Sequence, residues 1–288
     1  MKFSGERHTI FHATWRGVNL LLAAAVACSL YAGARKYSVR QYLKGFSDAV
    51  VPESATPEKK TEAILSWMKN GPSRYSIGNP SEPSARDPET TLNYKQLLSV
   101  CGTATNAFLN LARSGGLSVR RLLLLTPERN TKHVVAEVLV DGRWIVVDPT
   151  YRAVFRDAAG QLLTRNQLEN PAVFAESIRE IPGYPSEYNF DRFAHVRLSR
   201  LPLNSFGLRR ALDTVKPGWD ESVDWSLLLE RESFLILIVS VCLTLFFLLL
   251  REMLAWYADH RLRIPRFHLR EHALRATTAF FSTPEIKQ

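Results

Sequence analysis

The chain has 288 residues, 46% hydrophobic and 23% charged, with 37 Lys and Arg against 28 Asp and Glu. That balance excludes a disordered or fibrous protein, and the length allows one domain of moderate size or two small ones. The net charge of +9 invites a nucleic-acid reading, yet residues 1–35 carry +3, residues 251–288 carry +3, and the long middle only +3. Two thirds of the excess lies in 73 flanking residues, which argues against a basic nucleic-acid-binding domain and for something that separates the flanks from the middle.

Residues 1–16 form a short N-terminal segment, expected in the cytoplasm. Residues 17–34, between Arg16 and Arg35, are uncharged and Ala-rich, and read as a transmembrane helix or a signal peptide. Ala32-Gly33-Ala34 fits a signal cleavage site, and the anchor is the favoured alternative. An extracytoplasmic domain is expected over residues 36–200. Within it, residues 57–69 predict a helix: Thr56 can cap it, Pro57 suits the first turn, and Ile64, Leu65 and Met68 make an apolar stripe. Residues 71–90 hold four prolines and read as loop.

Ala104, Phe108, Leu111 and Ala112 give residues 101–113 a helical period, stopped by Gly115-Gly116. Residues 119–125 read as a buried strand. Residues 133–140 and 143–148 read as strands joined at Asp141-Gly142, a strong two-residue hairpin signal. A short helix is expected near residues 164–168. Residues 201–232 hold Pro, Gly and acidic residues and read as a linker to the membrane.

Residues 233–250 are 18 uncharged residues between Glu232 and Arg251. At about 1.5 Å per residue they cross most of a bilayer core roughly 30 Å thick. Five arginines fall in the 20 residues after this span, against Lys216 and Arg231 in the 18 before it. The positive-inside rule then makes residues 251–288 a basic cytoplasmic tail and puts residues 36–230 outside, in a bacterial inner membrane. The first segment has the opposite, smaller bias, with Arg35, Lys36, Arg40 and Lys44 after it. The tail is partly amphipathic, which suits an anionic lipid surface or, more simply, a stop-transfer flank.

Of three cysteines, Cys28 and Cys242 lie inside the apolar segments, leaving Cys101 as the one thiol of the exported domain. It has no disulfide partner there and sits at a predicted helix start, where the macrodipole and free N–H groups favour a thiolate and an oxyanion. A thiol nucleophile needs a base, and the base an orienting group. The exported domain has two histidines, His133 and His195. A two-residue turn pairs Val140 with Arg143, so Val135 faces Asp148 and His133 faces Thr150. His133 and Asp148 are then diagonal neighbours on one face, about 7–8 Å apart at Cα. A slip of one residue would separate them. Taken singly, His133 is an ordinary histidine and Asp148 a turn residue; only their combination with Cys101 is specific. Glu137 reads as a structural ion-pair partner and His195 as structural. No spacing suggests a metal or cofactor; His268 and His272 lie four apart but lack acidic or thiol companions.

CGTATNAFLNLARSGGLSVRRL followed by HVVAEVLVDGRWIVVDPTY resembles the core of the transglutaminase-like superfamily. The resemblance implies an α+β, papain-like fold, with the Cys-bearing helix packed on an antiparallel sheet, here flanked by two transmembrane helices. It implies Cys101 as nucleophile, His133 as base and Asp148 as orienting acid. Ser99 stands where many members have Gly, Ser118-Val119-Arg120 where many have Pro-Ala-Arg, and Val134 where many have an aromatic. Gln96 and Tyr94 are the candidates for an upstream oxyanion donor. YRAVFRDAAGQLLTRNQL resembles a bacterial branch whose genes often accompany cell-surface polysaccharide machinery.

The expectation is a membrane-anchored thiol acyl-transfer enzyme, a peptidase or amidase acting on an amide- or ester-bearing envelope substrate, with no nucleic acid and no cofactor. Transglutaminase-type cross-linking and a non-catalytic membrane-tethered binding module are the alternatives.

Overall fold

The computed structural model describes residues 2–71, 88–93, 95–195, 205–217, 219 and 232–262. The elements are helices α1 (Lys2–Val50), α2 (Pro57–Asn70), α3 (Pro88–Asn93) and α4 (Cys101–Ser114), then strands β1 (Val119–Leu125), β2 (Thr131–Val140), β3 (Arg143–Asp148) and β4 (Ala153–Val154). Helices α5 (Arg165–Leu168) and α6 (Pro171–Ser177), strand β5 (Phe193–Ala194), and helices α7 (Ser205–Val215) and α8 (Glu232–Tyr257) follow. The chain forms two compact units, residues 31–238 and residues 1–30 with 239–288.

In the smaller unit, Ser29 Oγ and Thr244 Oγ1 share a hydrogen bond of 3.2 Å, and Arg251 Nε donates to Asn19 Oδ1 at 3.2 Å. The Arg251 guanidinium also lies 5.4 Å from the Trp15 ring centre. Away from these contacts the helices are apolar and bare: Leu20, Leu30 and Leu249 are all exposed. Two helices are long and apolar enough to cross a membrane, Thr9–Val50 and Leu235–Leu262, with mean hydropathies of 1.7 and 2.4 in their most apolar 18-residue windows. Their most apolar windows are only 17% and 6% buried, unlike the core helix of a soluble protein.

The larger unit is built on an antiparallel sheet of order β4-β3-β2-β1-β5. Its hairpin has the expected register, with Val140 opposite Arg143 and Ala136 opposite Val147. Asp141 and Gly142 both take positive φ (48° and 77°), the conformation a two-residue type I′ turn demands and Asp-Gly tolerates. Alternate residues of the sheet feed two cores. Ala136, Val138, Val140, Ile145 and Val147 pack with α2 and α4, while Leu122, Leu124, Val135 and Val146 pack with Phe155, Phe174 and Phe190. Every residue of α4 from Thr103 to Ala112 is buried, so the helix that begins with Cys101 is the central rod of the domain.

Three stretches depart from the expectations. Helix α1 does not end near Arg35 but runs on to Val50, and its later turns join the domain core through Leu43, Phe46 and Val50. Ser47 Oγ donates to the Leu111 carbonyl at 3.3 Å, and Lys60 Nζ to the Gly115 carbonyl at 3.0 Å, tying α1 and α2 to the end of α4. Pro88, expected in loop, is the first residue of helix α3, a position where its missing N–H costs nothing. Residues 205–215, within the expected linker, form α7; Leu208, Ala211, Leu212 and Val215 carry its helical spacing. Most of the tail, residues 263–288, lies outside the described residues.

Because Leu43 is fully buried, Leu43→Ala should lower the domain's unfolding free energy by about 2–5 kcal/mol. Leu20→Ala, at an exposed position, should leave it nearly unchanged. Denaturant unfolding of the detergent-solubilised chain, followed by tryptophan fluorescence, measures both; equal small effects would mean that the end of α1 is not part of the core.

Candidate active site

The local architecture around Cys101 comes from the place where two neighbouring strands of the sheet part. The β2–β3 ladder ends at Ala136 opposite Val147, so further along β2 the backbone needs other partners. Helix α4 supplies them. The Val134 carbonyl accepts from Thr105 Oγ1 at 2.9 Å, and the Val134 N–H is hydrogen-bonded to the Cys101 sulfur. Cys101 is the first residue of α4, after Val100, which supplies no side-chain cap. The adjacent Gly102 N–H helps to lower the thiol's pKa as well. Cys101 packs against Leu123, Leu125, Val134 and Ala194 and stays partly exposed.

On β2, next to a bulge at Lys132, His133 projects its ring into the same notch. Its Nε2 lies 2.7 Å from Asp148 Oδ2, and both side chains are buried, at 2% and 0% exposure. That leaves Nδ1 as the nitrogen for Cys101, whose thiol is hydrogen-bonded to the imidazole. Asp148 closes β3, and its second oxygen is not free. Oδ1 accepts the N–H groups of Thr150 at 2.9 Å and Tyr151 at 3.2 Å. The Asp-Pro-Thr-Tyr turn thus holds the carboxylate while the carboxylate holds the imidazole. Arg152 donates to the Thr150 carbonyl and, at 3.1 Å, to the Leu98 carbonyl, bridging this turn to the segment that leads into Cys101.

The electrostatics favour an ion pair. His133's hydrogen bond is the largest influence on the Cys101 thiol and lowers its pKa against the opposing effect of burial; the His133 charge and the Gly102 and Val134 N–H groups add to it. For His133, burial alone would lower the pKa. Hydrogen bonds to Asp148 and Cys101, with their negative charges, outweigh it and push the imidazole up to about 9. Both shifts act in the direction of a thiolate beside an imidazolium.

The structure brings Cys101, His133 and Asp148 together. Tyr94 lies outside the described residues, and Gln96 sits in the 3-10 turn Lys95–Ser99 with its side chain outside them. Glu137 pairs with Arg120 Nε at 2.6 Å, and His195 Nδ1 with the Arg121 carbonyl at 2.6 Å. Both fit their structural reading. Among the described residues no group of three His, Cys, Asp or Glu is placed to hold a metal.

Sequence reasoning missed the aromatic wall around His133. Tyr188 lies flat on the imidazole, with ring centres 4.1 Å apart and planes 4° apart. Tyr151 and Tyr184 meet it edge-on at 6.1 and 6.5 Å. The buried Tyr184 phenol is kept un-ionised by burial and by the Asp148 charge. The available signal was a pair of tyrosines four apart in IPGYPSEYNF, a Pro- and Gly-containing segment with no obvious period.

Raising an imidazole from its ordinary value near 6.5 to about 9 stabilises the fold by about 2–3 kcal/mol at pH 7. The folded state binds the proton more tightly, so this contribution is complete below the ordinary imidazole range and is lost as pH rises through about 9. Asp148→Asn should therefore remove most of it at pH 7, with the difference from wild type shrinking toward zero by about pH 10. Denaturant unfolding at the two pH values tests this; a deficit that does not depend on pH would contradict the buried imidazolium.

No curated protein and no solved structure matches the chain. Residues 44–149, which run from the end of α1 through α4 and strands β1 to β3 to Pro149, match the sequence model of the transglutaminase-like superfamily. With its antiparallel sheet, its buried helix beginning at Cys101 and its two candidate membrane-spanning helices, the chain carries a transglutaminase-like domain.

Proposed function

We propose that the protein is a membrane-anchored thiol acyl-transfer enzyme that hydrolyses amide or ester bonds in bacterial envelope material. The observation that supports this most is the unbroken line from Asp148 through His133 to a partly exposed Cys101, with the first two groups sealed from water. A merely structural histidine has no need of both a carboxylate and a thiol at its two nitrogens.

In the proposed reaction the Cys101 thiolate attacks the substrate carbonyl, and the tetrahedral oxyanion is met by the N–H groups at the start of α4. His133, protonated at rest, gives its Nδ1 proton to the departing amine or alcohol as the C–N or C–O bond breaks and the thioester forms. Neutral His133 then takes a proton from water, whose oxygen attacks the thioester carbonyl. Collapse releases the acid and returns the thiolate and the imidazolium. Asp148 fixes the ring at Nε2 and stabilises the imidazolium. Replacing water by an amine would give cross-linking from the same intermediate.

The reading includes a topology, with residues 36–230 outside the cell and the C-terminal tail inside, which the arginines after residue 250 support. The contacts of Ser29 with Thr244 and of Asn19 with Arg251 support a first segment that is retained as an anchor. So does the unbroken helix through Ala32-Gly33-Ala34. A C-terminal fusion to a periplasm-dependent reporter should be inactive, and a cytoplasm-dependent one active; the reverse would overturn the orientation.

For the chemistry, a thiol-reactive acyl probe applied to intact envelopes should label wild type and spare Cys101→Ala. His133→Ala should slow labelling by about 10²- to 10⁴-fold, the usual range for a lost general acid–base. Equal labelling of wild type and Cys101→Ala at this domain would exclude Cys101 as the nucleophile.

A further inference from the structure

The segment after α6 contributes a residue to the site from outside the stretch that matches the superfamily. Tyr188 covers one whole face of His133 at 4.1 Å and 4°. Its own exposure is intermediate while the imidazole beneath is 2% exposed, so Tyr188 stands between the ring and water. The position is built rather than incidental. Four residues earlier, Tyr184 is buried and meets Tyr188 edge-on at 6.0 Å, and two residues later Phe190 is fully buried. The Tyr188 N–H donates to the Pro185 carbonyl at 3.2 Å. Asn189 accepts from Lys132 Nζ, and Lys132 is the bulge residue next to His133. The segment is therefore pinned on both sides of Tyr188, and pinned to the strand that carries the histidine.

A parallel stack fixes the one motion that the in-plane bonds leave open. Asp148 at Nε2 and Cys101 at Nδ1 set the ring's position, but tilting about the line joining them costs those bonds little. A flat aromatic neighbour resists that tilt, and its π-face attracts a cationic ring. We infer that Tyr188 is a positioning residue for His133, its ring clamping the imidazolium in the plane shared by Cys101 and Asp148 and screening it from solvent. This rests on the proposed Cys101–His133–Asp148 chemistry and deepens it. The ionisable groups around the imidazole are Cys101 from α4, Asp148 and Tyr151 from β3 and its turn, and Tyr184 and Tyr188 from the covering segment; Glu187 and Lys132 flank them.

The test is the pH dependence of Cys101 alkylation by a neutral alkylator, on the full-length chain in detergent with Cys28→Ala and Cys242→Ala. Tyr188→Leu and Tyr188→Gln remove the ring, and Tyr188→Phe keeps it. Either non-aromatic variant that retains the folded circular-dichroism spectrum should lose roughly 3- to 30-fold in alkylation rate on the acidic side of neutrality, the loss expected for removing such a contact. The midpoint of its profile should rise correspondingly. Tyr188→Phe should bring the profile back to within about twofold of wild type, because the ring face and not the hydroxyl makes the contact. A folded non-aromatic variant with the wild-type profile would overturn the inference, and so would Tyr188→Phe behaving like Tyr188→Leu. Failure of the underlying chemistry looks different: Cys101 would then titrate as an ordinary thiol in wild type, and His133→Ala would change nothing.

Discussion

A single buried contact, His133 Nε2 on Asp148 Oδ2, organises the functional half of this domain. Two groups that prefer to be charged are held with almost no access to water, an arrangement tolerable only when every lone pair and proton has a partner. The surroundings meet that demand. One carboxylate oxygen is taken by His133 and the other by two backbone N–H groups of the following turn. The second imidazole nitrogen is left to the thiol. The proton that solvent would otherwise share is confined to one line of three side chains, and the thiol at its end is the one member that solvent reaches.

The fold supplies this line by ending a strand early. Where β3 parts from β2, the unpaired backbone of Val134 is taken over by Thr105 and Cys101, so the start of a buried helix is attached to the sheet at the point where the histidine stands. Arg152 then ties the turn after Asp148 to the carbonyl of Leu98, just upstream of Cys101. Thiol, base and acid come from three separate elements, yet each is anchored to the next through backbone groups. Such anchoring lets a site keep its geometry without relying on flexible side chains.

What was legible in the sequence follows from the range of the interactions involved. The hairpin is local: Asp141 and Gly142 dictate the turn, the turn dictates the register, and the register puts His133 and Asp148 on one face. The helix starting at Cys101 is likewise written in its apolar spacing and its Gly-Gly stop. The end of α1 was hidden because Arg35 and Lys36 mark the edge of an apolar segment, whereas a helix needs no such break and continues on its own amphipathic pattern to Leu43 and Ser47. Pro88 was misleading because proline ends helices and also begins them. The place of Tyr188 was the least legible, since 55 residues separate it from His133 and no periodicity connects an irregular segment to a strand.

The central claim is that Asp148, acting through a buried imidazolium, holds Cys101 as a thiolate. The most direct measurement is the ultraviolet absorbance of the thiolate across pH, in a chain whose only cysteine is Cys101, with and without Asp148→Asn. The account predicts a Cys101 midpoint below the ordinary thiol value of about 8.5, moving upward when Asp148 is replaced. A wild-type midpoint in the ordinary range, or a depressed one that Asp148→Asn leaves in place, would contradict it.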